Sequence, residues 1–323
     1  MIEPLQLKPL ISRYRLKSRG FLNAITKRRE FEGVLIQVDG GFGCIHPWPE
    51  LGDPTLEKCL ADLASARRWP IVRRALRCAE YDAVARRFDH SLFEEMEVQE
   101  SHATLAAGKI EEVALAVEAG FHMIKLKTGR DLSAEAKLLD IMTIEHPTLR
   151  WRLDFNECLT PDEAAEFLLG LAEKTRAALD FVEDPCPYAE GSWRTLRQQT
   201  RVNLAVDREA APLSGAAQVM VIKPAIDEPF LLAEAAMQNQ QRVVLTGYMD
   251  HPLGQTFAAW EAARLGLQFP GLVGLCGLQT HHLFEPDAFT EMLGPWSPKF
   301  QIPAGNGLGF DDLLDELPWT RNY

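Results

Sequence analysis

HMIKLKTG, residues 122–129, sets the frame for the whole chain. Strand side chains alternate faces, so Lys125 and Lys127 point one way while Ile124 and Leu126 point the other. In this stretch taken alone, a solvated strand face would explain this. Outward from it, however, the same rhythm recurs, with short apolar runs between amphipathic helical stretches such as IEEVALAVEAG (110–120) and TPDEAAEFLLGLAEK (160–174). The runs are MEVQES (96–101), HMIKLKTG, RWRLDFN (150–156), LDFVEDP (179–185), VNLAVDRE (202–209), VMVIKPA (219–225), RVVLTGY (242–248) and LVGLCGL (272–278).

Eight strands separated by helices over roughly 200 residues is the pattern of an α/β (β/α)8-type barrel. An open doubly wound sheet is the competing architecture, but no Gly-rich phosphate loop follows the first strand. Upstream, EGVLIQVDGGFGCIHPWPELGD (32–53) reads as two strands around a Gly40–Gly41 turn. Residues 55–90 carry helical periodicity, broken near Trp69–Pro70. Thr160, Pro161 and Glu163 form a helix-start set.

At 323 residues and a formal net charge of −12, the chain has the bulk for a large core and the wrong sign for a nucleic-acid partner. No apolar run reaches the roughly 18 residues of a membrane span, and the N-terminus lacks a secretory pattern. The six cysteines are scattered without a CxxC pair, which fits a reduced cytoplasmic protein.

In a barrel, active-site groups come from the C-terminal ends of strands. There the chain places Lys125 and Lys127, then Arg152, Asp154 and Asn156 as a period-two set. Glu183 with Asp184, Asp207 and Lys223 follow. Each acid alone reads as a helix cap or a solvated turn. Together, one acid on each of three successive strands can converge on a single ion, and hard oxygen donors with room for water suit Mg²⁺. Lysines on the strands flanking that arc, desolvated beneath a barrel mouth, become usable bases. The expected chemistry is metal-assisted proton transfer on a small anionic carboxylate, with Mn²⁺ tolerated in place of Mg²⁺.

On these residues the chain resembles the enolase superfamily, whose members remove a proton beside a carboxylate with a Lys or His base and Mg²⁺. The K-x-K of KLKTG, the acids of RLDFN, FVEDP and AVDRE, and the lysine of VIKP are similar to its muconate-lactonising branch. GFGCIHPWP resembles a capping-domain stretch of the same enzymes. Within the branch, WRLDFN, FVEDPC and VIKPAI are most similar to the o-succinylbenzoate synthases. That resemblance implies an α+β capping domain of residues 1–97 completed by 300–323, over a catalytic barrel of 98–299. It further implies syn dehydration of 2-succinyl-6-hydroxy-2,4-cyclohexadiene-1-carboxylate in menaquinone biosynthesis. Lys127 would be the base, Lys223 the opposing cation, and Lys125 the residue that holds the carboxylate and tunes Lys127. Asp154, Glu183 and Asp207 would bind Mg²⁺, supported by Arg152 and Asn156. Thr246, Gly247 and Gly271 would touch the succinyl side, and residues 13–32, with Gly20 and Gly33, would form a lid.

Departures from the family pattern bear on the substrate. LTGYMDHPLG stands where the relatives are often Ser-rich, and Arg208–Glu209 follows the third acid. N-succinyl amino acid racemisation and dipeptide epimerisation are the alternatives within the superfamily, although LVGLCGL lacks the acids an epimerase would use for a substrate amine. A non-catalytic scaffold is the alternative outside it. His46 and His251 fall near the expected mouth, whereas the adjacent His281 and His282 read as structural residues.

Overall fold

The computed structural model describes residues 9–20, 22, 26–106, 108–207 and 215–321. Its N-terminal region is an antiparallel sheet of β1 (Leu10–Lys17), β2 (Glu30–Val38) and β3 (Gly41–Ile45), in that order. Asp39 and Gly40 both have positive φ, 51° and 85°, and close the β2–β3 hairpin as a two-residue turn. The turn therefore sits one residue earlier than expected, and Gly41 already belongs to β3. Helices α1 (Leu56–Leu63) and α2 (Pro70–Arg87) follow, with Pro70 at the start of α2 where the break was expected. β3 lies directly against the α2 backbone. A side-chain carbon at Gly41 or Gly43 would come within 2.1 Å of the Ala79 or Ala75 carbonyl oxygen.

The second region is an all-parallel sheet in the order β10-β9-β8-β7-β6-β5-β4. Its strands and helices run β4 (Ala103–Leu105), α3 (Ile110–Glu118), β5 (Met123–Lys127), α4 (Leu132–Glu145), β6 (Arg150–Asp154), α5 (Pro161–Gly170), α6 (Glu173–Ala178), β7 (Leu179–Glu183), α7 (Glu190–Thr200), β8 (Leu204–Val206), β9 (Val219–Ile222), α8 (Pro229–Gln238), β10 (Arg242–Leu245) and α9 (Pro252–Gln268). At the expected helix start of α5, Thr160 and Glu163 form a capping box. Among the described residues no helix separates β8 from β9.

Two expected strands are corrected. Residues 96–100 form none; Ser101 and His102 spend their amides on Pro298 and Cys276 carbonyls, and the strand begins at Ala103. Residues 272–278, interrupted by two glycines, make only single bridges, Val243–Val273, Thr246–Gly277 and Ser101–Cys276. Those bridges nonetheless reach from β10 to the residues before β4 and close the curled sheet into a barrel. Inside it, Phe181, Ala205, Val219, Val221 and Val244 pack together, so the interior is filled and not a pore.

α9 is buried along most of its length because the barrel covers one side and the N-terminal region the other. Arg74 of α2, itself 4% exposed, crosses that seam to Glu261 at 3.1 Å and Asp250 at 3.7 Å. The chain's end returns to the N-terminal region: Thr320 bridges Ile11, and Leu308 N–H donates to Asp82 at 2.6 Å. No helix among the described residues is long and apolar enough to cross a membrane.

Candidate active site

The strand register assembles the site. Lys127 pairs with Asp154 and Asp154 with Glu183, so three charged side chains occupy one row across β5, β6 and β7. Lys125 lies one step below, beside Arg152. Asp207 follows β8, and Lys223 follows β9. Lys125, Asp154 and Glu183 are 5%, 1% and 1% exposed, which makes unpaired charge costly here.

Pairing relieves that cost. Lys125 Nζ donates to both Glu183 oxygens, at 2.6 and 2.7 Å, and lies 2.9 Å from Asp154 Oδ2. Lys127 pairs with Asp154, and Lys223 with Asp207. Burial opposes the charge on Lys125, but Asp154 and Glu183 outweigh it and raise its pKa. Burial and the adjacent Asp154 push the Glu183 carboxyl upward despite Lys125. At Asp154, burial is overcome by Lys125 and Lys127, which hold its carboxyl well below the usual range.

Asp154, Glu183 and Asp207 together supply an all-oxygen donor set that suits a hard divalent cation. Their arrangement differs from the expected convergence on one point, because each acid is turned onto an ammonium group. Among the described residues no three His, Cys, Asp or Glu side chains are already gathered as a metal-holding group. The donor chemistry fits Mg²⁺, with lysines standing between the oxygens.

Other expected positions fall less simply. Arg152 is fully buried below the row: its Nε donates to Asp180 at 2.8 Å, and its Nη1 to the Leu275 carbonyl at 2.8 Å. Asn156 does not extend the period-two face, because β6 ends at Asp154. With φ of 48°, Asn156 enters the left-handed region and lies exposed in the turn, its N–H donating to Asp154 Oδ1. Thr246 and Gly247 do follow β10 at the strand-end side, and Gly247 N–H donates to the Gly277 carbonyl. Gly271 is a correction. It lies in the turn between α9 and Leu272, whose carbonyl accepts from Val243 near the start of β10, so it stands at the opposite end of the barrel from the acids.

The expected lid span is corrected too. Residues 13–17 and 30–32 are in β1 and β2, and Gly33 pairs with Tyr14 inside that ladder. Phe21 and residues 23–25, like Arg208 and Glu209, lie outside the described residues. His46 and His251 are buried beside Tyr14, whose hydroxyl meets His46 Nδ1 at 2.9 Å; His251 caps α9. The adjacent His281 and His282 share a short helical turn, and His282 stacks on Trp296.

Sequence reading passed over two groups that the fold brings to this end. Tyr248, after β10, donates to Asp53 of the N-terminal region at 3.0 Å, and its carbonyl accepts from Trp48 Nε1 at 3.0 Å. Burial first, then Asp53, Asp207 and Asp227, raise the Tyr248 phenol pKa, so this latch lies within the field of Asp207. His102 lies against Arg152, where burial and the cations Arg152, Lys125 and Lys127 hold its imidazole well below the usual pKa. Neither a Tyr in a loop nor a His before a short strand carries a periodic signal of its own.

Comparison with known proteins identifies the family and the fold. Residues 9–85 match the family described as O-succinylbenzoate synthase, N-terminal domain, and residues 109–223 match the Enolase C-terminal domain-like family. The o-succinylbenzoate synthase of Bdellovibrio bacteriovorus is 31% identical over 330 residues, covering 98% of both chains. That of Pectobacterium atrosepticum is 25% identical, covering 90% of this chain and 93% of the relative. Among solved structures, the dipeptide epimerase of Enterococcus faecalis, complexed with Mg and L-Leu-L-Tyr, superposes with a TM-score of 0.80 at 16% identity, covering 94% and 99% of the two chains. Muconate lactonizing enzyme from Pseudomonas putida gives 0.76 at 16% identity, covering 97% and 99%. At those identities the structures speak for the fold: a barrel with an α+β cap. The chain belongs to the o-succinylbenzoate synthase family of enzymes, within the enolase superfamily.

Proposed function

We propose that the protein is an o-succinylbenzoate synthase of menaquinone biosynthesis. It would catalyse the syn dehydration of 2-succinyl-6-hydroxy-2,4-cyclohexadiene-1-carboxylate, acting in the cytoplasm on this small anionic substrate. The observation that carries the reading is the in-register row Lys127–Asp154–Glu183, with Lys125 buried beneath it and Lys223 paired to Asp207 beyond it. In this reading residues 1–97 and 300–323 are the cap and 98–299 the barrel, consistent with the Ile11–Thr320 bridge. All six cysteines are free, as a reduced compartment allows.

Asp154, Glu183 and Asp207 would hold Mg²⁺, which when bound supplies positive charge against the negative charge that develops on the substrate carboxylate. Lys127, acting as the base, takes the proton α to that carboxylate onto Nζ. The same ammonium then gives its proton to the hydroxyl on the same ring face. The C–O bond breaks, water leaves, and the ring becomes aromatic. Lys223, across the row, stabilises the electron-rich ring as a cation. Lys125 holds the carboxylate end and, through Asp154 and Glu183, the charge balance of the site. Arg152 and Asn156 support Asp154 from below and from the following turn, and Thr246 and Gly247 lie where the succinyl arm would extend.

An ultraviolet assay of diene loss, with Mg²⁺, tests this directly. Turnover that disappears with a chelator and in Lys127→Ala is the expected result. Folded, metal-loaded protein that leaves the diene untouched would overturn the assignment, and N-succinyl amino acids and dipeptides would then be the substrates to assay.

A further inference from the structure

The barrel interior holds a second polar feature that the lysines and acids do not explain. Arg152 is clamped by Asp180 at Nε and by the Leu275 carbonyl at Nη1, and its guanidinium lies 4.7 Å over the Phe181 ring. Asp180 faces inward only because of a bulge: Trp151 pairs with Leu179 but Arg152 with Phe181, leaving Asp180 as the extra residue. The clamped Arg152 Nη1 lies 2.8 Å from His102 Nδ1.

A guanidinium has no acceptor atom, so Nδ1 must accept, and a neutral His102 carries its proton on Nε2. The bulge, the arginine and the imidazole thus form a chain that fixes one tautomer in one orientation.

The His102 ring packs directly on Gly277, where only a glycine leaves room for it. A side-chain carbon at Gly277 would stand 2.6 Å from His102 Cε1 and Nε2 and 3.1 Å from Thr246 Cγ2. One at Gly247 would stand 3.4 Å from Thr280 Oγ1. Thr246 Oγ1 and Thr280 Oγ1 are buried with no hydrogen-bond partner among the described residues. Buried hydroxyls are normally satisfied, so two of them beside an oriented imidazole N–H leave donors for an arriving ligand.

We infer that His102 is a substrate-binding residue, donating from Nε2 to an oxygen of an oxo-acid arm that also meets the Thr246 and Thr280 hydroxyls, and that Arg152 is the positioning residue that fixes its tautomer. This rests on the dehydration reading above and names a residue that selects the arm. A neutral donor suits the task, because another full cation beside Lys125 and Lys127 would compete for the acids.

The test compares wild type, His102→Leu and His102→Gln, all Mg²⁺-loaded, in turnover and in calorimetric binding of the product o-succinylbenzoate. His102→Leu is expected to raise KM and Kd about tenfold, the worth of one hydrogen bond at its upper range, with kcat within about threefold. His102→Gln, which keeps a terminal N–H, should recover most of the loss. Binding unchanged in His102→Leu, or equally weak in both variants, overturns the inference while an active wild type leaves the dehydration reading intact. A wild type inert to substrate and product overturns both. Should the variants fail to fold, ¹⁵N spectra of the wild-type imidazole decide. An Nε2-bound proton that moves downfield with product supports the inference; an Nδ1-bound or unresponsive proton overturns it.

Discussion

Lys125 donates to both carboxylate oxygens of Glu183, at 2.6 and 2.7 Å, from one step lower in the neighbouring ladder. This two-point contact makes the lysine part of the charge balance among three acids, whether or not it meets substrate. With Lys127 on Asp154 and Lys223 on Asp207, three ammonium groups face three carboxylates in largely buried surroundings.

Divalent cation should therefore stabilise the fold as well as support turnover. A cation present at 100 times its Kd adds about 2.7 kcal/mol, so Mg²⁺ or Mn²⁺ should raise the melting temperature by several degrees, and a chelator should reverse the rise. Glu183→Gln should lose most of that increment. An unchanged melting temperature over a full Mg²⁺ titration, in protein that turns over without metal, would sink the metal assignment.

Lys127→Ala should lower kcat by at least the 10²- to 10⁴-fold (roughly) that general acid–base catalysis contributes. Lys127 is at the edge of the buried row, its side chain 22% exposed, so the fold should survive. Circular dichroism confirms folding, and exchange of the substrate α-proton with deuterated solvent isolates the step. Retained exchange in the variant would remove Lys127 from the role of base.

The seam between α2 and α9 should be sensitive at Arg74. Replacing it with Met leaves Asp250 and Glu261, both buried, without their shared cation. Breaking a buried pair by removing one partner costs about 3–5 kcal/mol. Urea unfolding should show that loss, and a midpoint unchanged from wild type would mean that the acids find protons or water instead.

Acid should destabilise the protein through its buried imidazoles. Burial first, then a neighbouring charged or imidazole group, lowers His46, His251 and His282 from 6.5 to about 3. Between those values the unfolded chain binds protons that the folded one refuses, so this stability is present above pH 6.5 and lost as pH falls toward 3. Asp250, raised by burial to about 6, works the other way: its folded form takes a proton first, which partly offsets the loss below pH 6. His46→Asn should flatten the slope by about 1.4 kcal/mol per pH unit in that window. Urea midpoints at pH 7.5, 6 and 5 provide the check; parallel slopes for variant and wild type would contradict it.

Gly43→Ala should be damaging out of proportion to one methyl group. The added carbon meets the Ala75 carbonyl at 2.1 Å, and that neighbour is helix backbone, not a movable side-chain end. Overpacking of this kind costs about 1–3 kcal/mol, occasionally more. Thermal unfolding within a degree of wild type would show that β3 can lift off α2.

Much of this was legible in the residue order. The alternation at Lys125 and Lys127, and the acid that ends each of the next runs, are local periodicities. Parallel neighbours in register carry such residues to one row automatically, which is why Lys127, Asp154 and Glu183 meet. The Gly40–Gly41 pair likewise marked the β2–β3 turn, which the structure places one residue earlier. Depth and end of the barrel were not legible, because they depend on how the sheet curls and closes. Gly271 belongs to the far end, Asn156 leaves the strand face through a left-handed turn, and Asp180 turns inward at a bulge. His102 reaches Arg152 across 50 positions, and Arg74 reaches Glu261 across 187. Periodicity is a property of a few neighbouring residues, whereas such contacts come from closure of the barrel and from packing the N-terminal region upon it.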